Sequence, residues 1–436
     1  MGMSIKHFSR LSLGLLCAAL SSPAFSSGFA PDIKDLPALD DLPEARPAPA
    51  LRDWTVMYFV NGKNNLESSA MMDVNQLELA GSTARVAITA ELGRMNGQEG
   101  DDHSEGDWTG VRRYLLTKDA DTARITSPVL QSLGKADMGS WKELVSFINW
   151  SKANFPARRY ALVLWDHGNG WKPVDPANAY DFNNLKGFSL DDESGHEFST
   201  PQIAAALKAA GGVNFLMLDG CNMQMASVAY ELKDQAETLT ASEETEPGVI
   251  VRYAQFHALL NARPSMGAEE FAANTVRTYR DFFLNASGDN EGAPATQSAL
   301  RLSKMTAFRQ KLDVWSAAAM KAEPEALRQA KAKAKIFGEE PEYKDLCDFV
   351  GLVSAGTSDA RLKALGLELT AFVKSELLLS NWAQDAVSHG LSIYVPDAYD
   401  PLYDGLAFSR DGAWDDFARF MAKNFGVPRA AGPSRR

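Results

Sequence analysis

The sequence predicts an α/β fold built on a mostly parallel sheet. Three observations carry this. Apolar runs of strand length recur through the N-terminal half, each bounded by glycine or polar turn residues. Segments with helical spacing alternate with them. Two of the runs, in YALVLWDHGNGW (Tyr160–Trp171) and VNFLMLDGCNM (Val213–Met223), are apolar without alternation, the mark of strands buried on both faces. Ligands of such sheets bind outside the carboxyl ends of the strands. His167 with Gly168 follows the first run and Cys221 with Gly220 the second, so a thiol and an imidazole are expected to meet there.

The elements follow in order. Lys6, His7 and Arg10 precede an apolar stretch, Leu11–Leu20, and then Pro23 and Ala24-Phe25-Ser26. That order of features reads as an export signal covering residues 1–26, with an apolar stretch too short to span a bilayer. Cys17 follows Gly14-Leu15-Leu16, and the bulky Leu16 argues against a lipoprotein signal. Residues 27–52, rich in proline and acidic groups, read as a tether or pro-segment. Trp54–Val60 is the first expected strand, followed by a helix through Ala80 capped by Asn64 or Asn65. Arg85–Leu92 and Val111–Thr117 are further strands, with a loop at Met95–Trp108. Ser140–Asn154 is a helix leading into the His167 strand. Lys172–Ser189 is a long polar loop. Ser199 or Thr200 caps a helix with Pro201 at its start, and Gly211-Gly212 ends it. After the Cys221 strand a helix is expected from Asn222 to Gln235, then a strand at Thr238–Ser242. A core at 53–262 is thus followed by a mainly helical region, 263–436. Its expected helices are Ala268–Asn285, Lys304–Lys335, Asp345–Ala355, Ala360–Ser380 and one near Trp414–Asn424, with a late strand at Leu391–Val395.

The chain has 436 residues, 45% hydrophobic and 23% charged, with a formal net charge of -12. That balance, without a Lys/Arg stripe, argues against a nucleic-acid partner. Six histidines and three cysteines, with no C-x-x-C or H-x-x-x-H pair, give no zinc signature. If the signal is removed, only Cys221 and Cys347 remain, and both are expected as free thiols. His103, His196, His257 and His389 have no partner assignable from sequence.

A cysteine between a strand end and a helix start gains twice. The helix N-terminus favours the thiolate, and free backbone N–H groups can hold an oxyanion. Gly168 N–H and Cys221 N–H are the expected oxyanion donors. His167 would carry a proton to the leaving amine. The plain alternative is a buried cysteine and a turn histidine.

Several stretches also carry a resemblance. WTVMYFVNGKNNLE (Trp54–Glu67), Leu133–Trp171 around His167, KGFSLDDESG, STPQIAAALK, FLMLDGCNMQMASVAYEL, ASEETEPG (Ala241–Gly248), KDLCDFV and HGLSIYVP resemble the clostripain-like cysteine peptidases, relatives of the caspases, legumain and the gingipains. The resemblance implies a caspase-like three-layer α/β/α sandwich. It implies a His167–Cys221 dyad that needs no third residue. It also implies a substrate pocket shaped by Asp219 and lined by the segment bearing Ser242, Glu243 and Glu244, which would pair with the substrate as an extra strand. Arg or Lys at the P1 position is the leading expectation. An apolar P1 is the rival, because Val249-Ile250-Val251 stands where relatives that cut after basic residues carry a further acidic one. Gly220, where the family more often has alanine, reads as a harmless difference. Self-cleavage in the Lys172–Ser189 loop, at Lys172 or Lys186, follows if P1 is basic. No cofactor is expected. The carboxylates of LDDESG (Leu190–Gly195) raise calcium, which some relatives need, but their spacing matches no regular calcium loop. The reading is therefore an exported peptidase, periplasmic or secreted, acting on proteins or peptides, with no transmembrane segment in the mature chain. A binding protein that keeps the fold, and a thiol acyltransferase or amidase using the same dyad, stay open.

Overall fold

The computed structural model describes residues 51–98, 101–172, 187–247, 252–286, 290–338 and 340–426. The expected signal and nearly all of the tether, and much of the Lys172–Ser189 loop, lie outside these. The described chain opens with β1 (Arg52–Gly62), α1 (Glu67–Ala80) and β2 (Val86–Arg94). It continues through β3 (Gly110–Leu115), β4 (Val129–Gly134) and α2 (Trp141–Asn154) to β5 (Ala157–Trp165). A small hairpin, β6 (Phe188–Asp191) with β7 (His196–Phe198), precedes α3 (Thr200–Ala209), β8 (Val213–Asp219), α4 (Ala226–Leu232) and β9 (Ala236–Ala241). Then come α5 (Tyr253–Ala262), α6 (Ala268–Leu284), β10 (Thr296–Arg301), α7 (Met305–Ala319), α8 (Pro324–Lys333), β11 (Ile336–Phe337) and β12 (Glu340–Asp345). The last elements are α9 (Leu346–Gly356), α10 (Ala360–Phe372), β13 (Leu378–Ala383), β14 (Ser392–Tyr394), α11 (Ala407–Asp411) and α12 (Trp414–Phe425).

The main sheet has nine strands in the order β13-β10-β9-β8-β5-β1-β2-β3-β4. The central five are parallel, and antiparallel pairs flank them on both sides. The apolar runs follow from burial on both faces. Met57, Phe59, Leu162, Leu164, Leu216 and Leu218 pack on one side with α2, α3 and α4. Val56, Tyr58, Ala161, Val163, Phe215 and Met217 pack on the other with α1, α5 and α6. Alternate residues of one strand thus enter two cores, giving the expected three-layer sandwich.

Several local expectations need correction. The helix after Cys221 starts only at Ala226 and ends at Leu232, not at Asn222 and Gln235. Lys304–Lys335 is two helices, because Pro324 starts α8 in its first turn. The helix expected to run to Ser380 leaves α geometry after Phe372, passes through one wide turn, and becomes β13. LLLSNW has the apolar content of a helix face but forms the sheet's last strand. β10 escaped notice because its buried residues include Thr296, Gln297 and Ser298. The region after residue 262 therefore supplies two strands of the main sheet as well as helices. Residues from Leu51 onward form one compact unit. Among the described residues no helix is long and apolar enough to cross a membrane.

Candidate active site

β5 and β8 pair in parallel, with Trp165 opposite Asp219. Two residues beyond that last pair stand His167 and Cys221. Both line one cleft of about 210 Å³, together with Trp165, Asp219, Glu246 and Arg252. The sequence expectation that the two groups share a site is met by this register.

Glycine is needed on both strand tips. A Cβ on Gly168 would lie 2.9 Å from the Cys221 carbonyl oxygen, and one on Gly220 would lie 2.6 Å from the Asp166 carbonyl oxygen. Gly220 is thus a steric requirement of this chain rather than a neutral stand-in for alanine. Past Cys221, Asn222 adopts a left-handed φ of 58°, which asparagine tolerates better than most residues. Its N–H donates to Glu244 O at 3.1 Å and its Nδ2 to Glu243 O at 2.8 Å. Because α4 starts later, Cys221 does not sit at a helix N-terminus, and the expected dipole assistance is absent. Instead the Glu246 N–H donates to Cys221 Sγ at 3.2 Å. Burial pushes the thiol up to about 11, the Glu246 N–H opposing and the Glu246 and Glu244 carboxylates adding to the rise.

His167 is held by a residue assigned another role from sequence. Its Nε2 lies 2.7 Å from Asn65 Oδ1. Asn65 Oδ1 can only accept, so this nitrogen carries the proton. Burial lowers the imidazole to about 4. Neither Asn64 nor Asn65 caps α1: Leu66 precedes the helix without a side-chain cap bond, and Asn64 Oδ1 accepts from Leu66 N at 2.9 Å in the turn ahead of it. Asn64 also donates to Asp166 Oδ1 at 2.7 Å, and Asn61 to Asp166 Oδ2 at 3.1 Å. Asp166 accepts the His167 N–H at 2.7 Å as well, so the turn that aims His167 is fixed on three sides. Asn61, Asn64 and Asn65 all lie in the NGKNNLE stretch, whose asparagines were the available signal.

The other expected substrate-site residues divide. Asp219 lines the cleft, but its Oδ1 accepts from Arg252 Nη2 at 2.5 Å and its Oδ2 from the Tyr253 hydroxyl. Ser242, Glu243 and Glu244 stand behind the Cys221 loop with their side chains turned inward. Ser242 Oγ donates to Glu244 O at 2.9 Å. Glu243 Oε2 accepts from Gly390 N at 2.8 Å, and Glu244 Oε1 from Gly338 N at 2.5 Å. The backbone here is spent too: the N–H groups of Glu243 and Glu244 both donate to Thr296 Oγ1, and Ser242 O accepts from Gln224 N. An added substrate strand would find these groups occupied. Glu246 is the acidic residue of the segment that reaches the cleft.

The remaining histidines have local partners: His103 with Asp107, His196 with Asp137, His257 with the Tyr58 hydroxyl and His389 with Asp345. In LDDESG, Asp191 is paired with Lys63 at 2.8 Å, and Glu193 with Lys63 at 2.9 Å and Lys135 at 2.7 Å. Among the described residues no group of three His, Cys, Asp or Glu side chains is placed to hold a metal ion. Cys221 and Cys347 are both free thiols.

A thiol and an imidazole at adjacent tips of a doubly covered parallel sheet are an arrangement suited to a cysteine hydrolase. The comparisons with known proteins narrow it. The clostripain family model, Peptidase C11, matches residues 58–417. The chain therefore belongs to the clostripain family of cysteine peptidases. Clostripain of Hathewaya histolytica is 26% identical over 218 residues, 46% of this chain and 40% of that protein's length. Among solved structures, a secreted C11 cysteine protease from Bacteroides thetaiotaomicron superposes with a TM-score of 0.63 at 16% identity, over 83% of this chain and 99% of that one. An inactive zymogen C11 protease from Parabacteroides distasonis gives 0.60 at 16% identity, with the same coverage of each chain. At these identities the structural likeness speaks to the fold.

Proposed function

We propose that this chain is an exported endopeptidase that hydrolyses peptide bonds through a thioester on Cys221, with His167 as general acid and base. The observation that supports it most is the register of β5 and β8, which delivers His167 and Cys221 to one cleft. Both groups rest uncharged, since burial holds the imidazole low and the thiol high. The thiol proton passes to the imidazole as sulfur attacks the substrate carbonyl carbon. The Gly168 and Cys221 N–H groups receive the oxyanion of the tetrahedral intermediate. That intermediate collapses with cleavage of the C–N bond, and the imidazolium gives its proton to the departing amine. Water, deprotonated by the same imidazole, then adds to the thioester carbon; the C–S bond breaks, the acid leaves, and the imidazolium returns its proton to sulfur, restoring the uncharged pair.

Family membership favours this over a binding protein that merely keeps the fold. A further structure of the secreted B. thetaiotaomicron protease holds an irreversible peptide inhibitor, which supports peptides or proteins as substrates here. The test is intact mass of the mature protein beside Cys221→Ala, each incubated with a mixed peptide library. Cleavage by wild type alone is expected; equal cleavage by both, or by neither, refutes the proposal. Self-processing at Lys172 or Lys186 requires a basic P1 residue. Lys172 is ion-paired with Glu340 at 3.1 Å and Glu342 at 3.0 Å, and Lys186 lies outside the described residues. No cofactor is proposed: with Asp191 and Glu193 held by lysines, calcium or its chelation is expected to leave activity and Tm unchanged, and a response of either would reopen that reading. Export after Ser26 is checked by N-terminal sequencing of the protein recovered outside the cytoplasm.

A further inference from the structure

Arg252, which precedes α5, lies at the base of the cleft and is 1% exposed. Four elements grip its guanidinium. From β8, Asp219 Oδ1 accepts Nη2 at 2.5 Å. From β10, the Gln297 amide oxygen, turned toward the guanidinium, accepts Nη1 at 2.6 Å. From α6, the Tyr279 ring centre lies 4.6 Å from the guanidinium carbon. From α5, the Tyr253 ring lies 5.8 Å away, and its hydroxyl donates to the other Asp219 oxygen. Asp219, 8% exposed, therefore has both oxygens engaged.

We infer that Arg252 is a specificity-determining residue: by occupying Asp219 it makes the cleft select an uncharged P1 side chain over Arg or Lys. This rests on the peptidase reading above and departs from the basic P1 expected from sequence.

A substrate cation reaching Asp219 would have to share it with a guanidinium in a site of low dielectric, where like charges repel strongly. Three further carboxylates line the cleft among the described residues: Asp166, held by Asn61, Asn64 and the His167 N–H; Asp73; and Glu246, whose Oε1 has no hydrogen-bond partner but whose carboxyl already feels the Arg252 charge. Asp73 is held by Trp165 Nε1 at 2.9 Å and Gln76 Nε2 at 3.1 Å, and burial pushes its carboxyl well up. Glu246 Oε2 accepts the Tyr279 hydroxyl at 3.2 Å, and burial raises its carboxyl to about 8 despite Arg252. Arg252 and Asp219 are paired with each other at 2.5 Å, and the apolar part of the lining is Leu66, Trp165, Pro247 and Tyr253. An uncharged side chain enters without stripping water from a charge that finds no partner. Neither Lys172 nor Lys186 is then a point of self-cleavage.

The experiment is a fluorogenic peptide library varied at P1, with kcat/KM measured for the mature wild type, Arg252→Gln and Asp219→Asn. Wild type is expected to favour uncharged P1 residues over Arg and Lys by about tenfold or more. Arg252→Gln keeps amide donors and acceptors in place but frees the Asp219 charge. It is expected to move the ratio toward Arg and Lys by about tenfold. Wild type preferring Arg or Lys overturns the inference, and so does a folded Arg252→Gln enzyme whose ratio stays put. If Arg252→Gln does not fold, Asp219→Asn decides: continued rejection of Arg and Lys supports the inference, and abolition of an existing Arg/Lys activity overturns it. Absence of any Cys221-dependent cleavage would instead overturn the peptidase reading, and is told apart by the Cys221→Ala control.

Discussion

Replacing Gly220 by alanine tests how tightly the two strand tips are built. The added Cβ would stand 2.6 Å from Asp166 O, 2.9 Å from Phe188 Cε2 and 3.2 Å from Gly168 N. A carbon next to a carbonyl oxygen settles at about 3.3 Å, so residues 166 and 220 must part by roughly 0.7 Å. Two of the three neighbours are backbone, so no rotamer change relieves the contact. Asp166 directly precedes His167 and Gly220 directly precedes Cys221, so the displacement passes straight to the proposed dyad. Overpacking of this kind costs about 1–3 kcal/mol in stability, and misplacement on the order of 1 Å costs roughly 100-fold in rate. Gly220→Ala is therefore expected to lower kcat/KM on the order of 30- to 100-fold while lowering Tm by a few degrees. The control is Gly351→Ala in α9, where no heavy atom lies within 4 Å of the new methyl. There the helix should gain about 0.5–1 kcal/mol. A Gly220→Ala enzyme within about twofold of wild type in kcat/KM, with unchanged Tm, would refute this account of the strand tips.

Asn65→Ala removes the acceptor of the 2.7 Å contact to His167 Nε2; kcat should fall about tenfold with KM little altered, as for a loss of about 1–1.5 kcal/mol of positioning. An unchanged kcat would remove Asn65 from the site. The folded Cys221 pKa is raised to about 11, so the thiolate fraction keeps growing through the neutral range. Alkylation by iodoacetamide should therefore quicken about tenfold per pH unit from neutrality past about pH 9, and a plateau starting near neutrality would reveal a resting thiolate–imidazolium pair instead. Lys63→Met leaves the Asp191 carboxylate buried without its 2.8 Å partner; urea unfolding should show a loss of about 3–5 kcal/mol, and a loss under about 1 kcal/mol would mean that the pair is dispensable.

The sheet and the meeting of His167 with Cys221 were legible because they obey simple rules. Unbroken apolar runs mean strands buried on two faces, and a polar residue just past such a run stands at a sheet edge. β10 and β13 were not legible: one carries buried polar groups whose partners are remote in sequence, and the other follows a helix without a break signal. Asp219 was found, but its occupant was not. Arg252 lies 33 positions away, beyond α4 and β9. Glu243 and Glu244 looked like substrate ligands because acidic residues near a nucleophile invite that reading. Their lone pairs instead serve Gly390 and Gly338, contacts that only the assembled fold brings about. Asn64 and Asn65 read as caps because an asparagine before a helix has that ordinary local use, whereas α1 has no side-chain cap and the two serve Asp166 and His167.

Thr296, at the start of β10, accepts the two backbone N–H groups behind the nucleophile loop, and β10 is in turn flanked by β13. A polypeptide that has emerged from the ribosome only as far as α5 already contains every atom of the proposed dyad. It still lacks the strand that braces Cys221 and the amide of Gln297 that steadies Arg252. The order of synthesis therefore works as a delay: Cys221 is made early but is braced only once β10 has been made and joins the sheet. Trimming the C-terminal region to isolate a minimal catalytic core would leave the chain in that earlier condition.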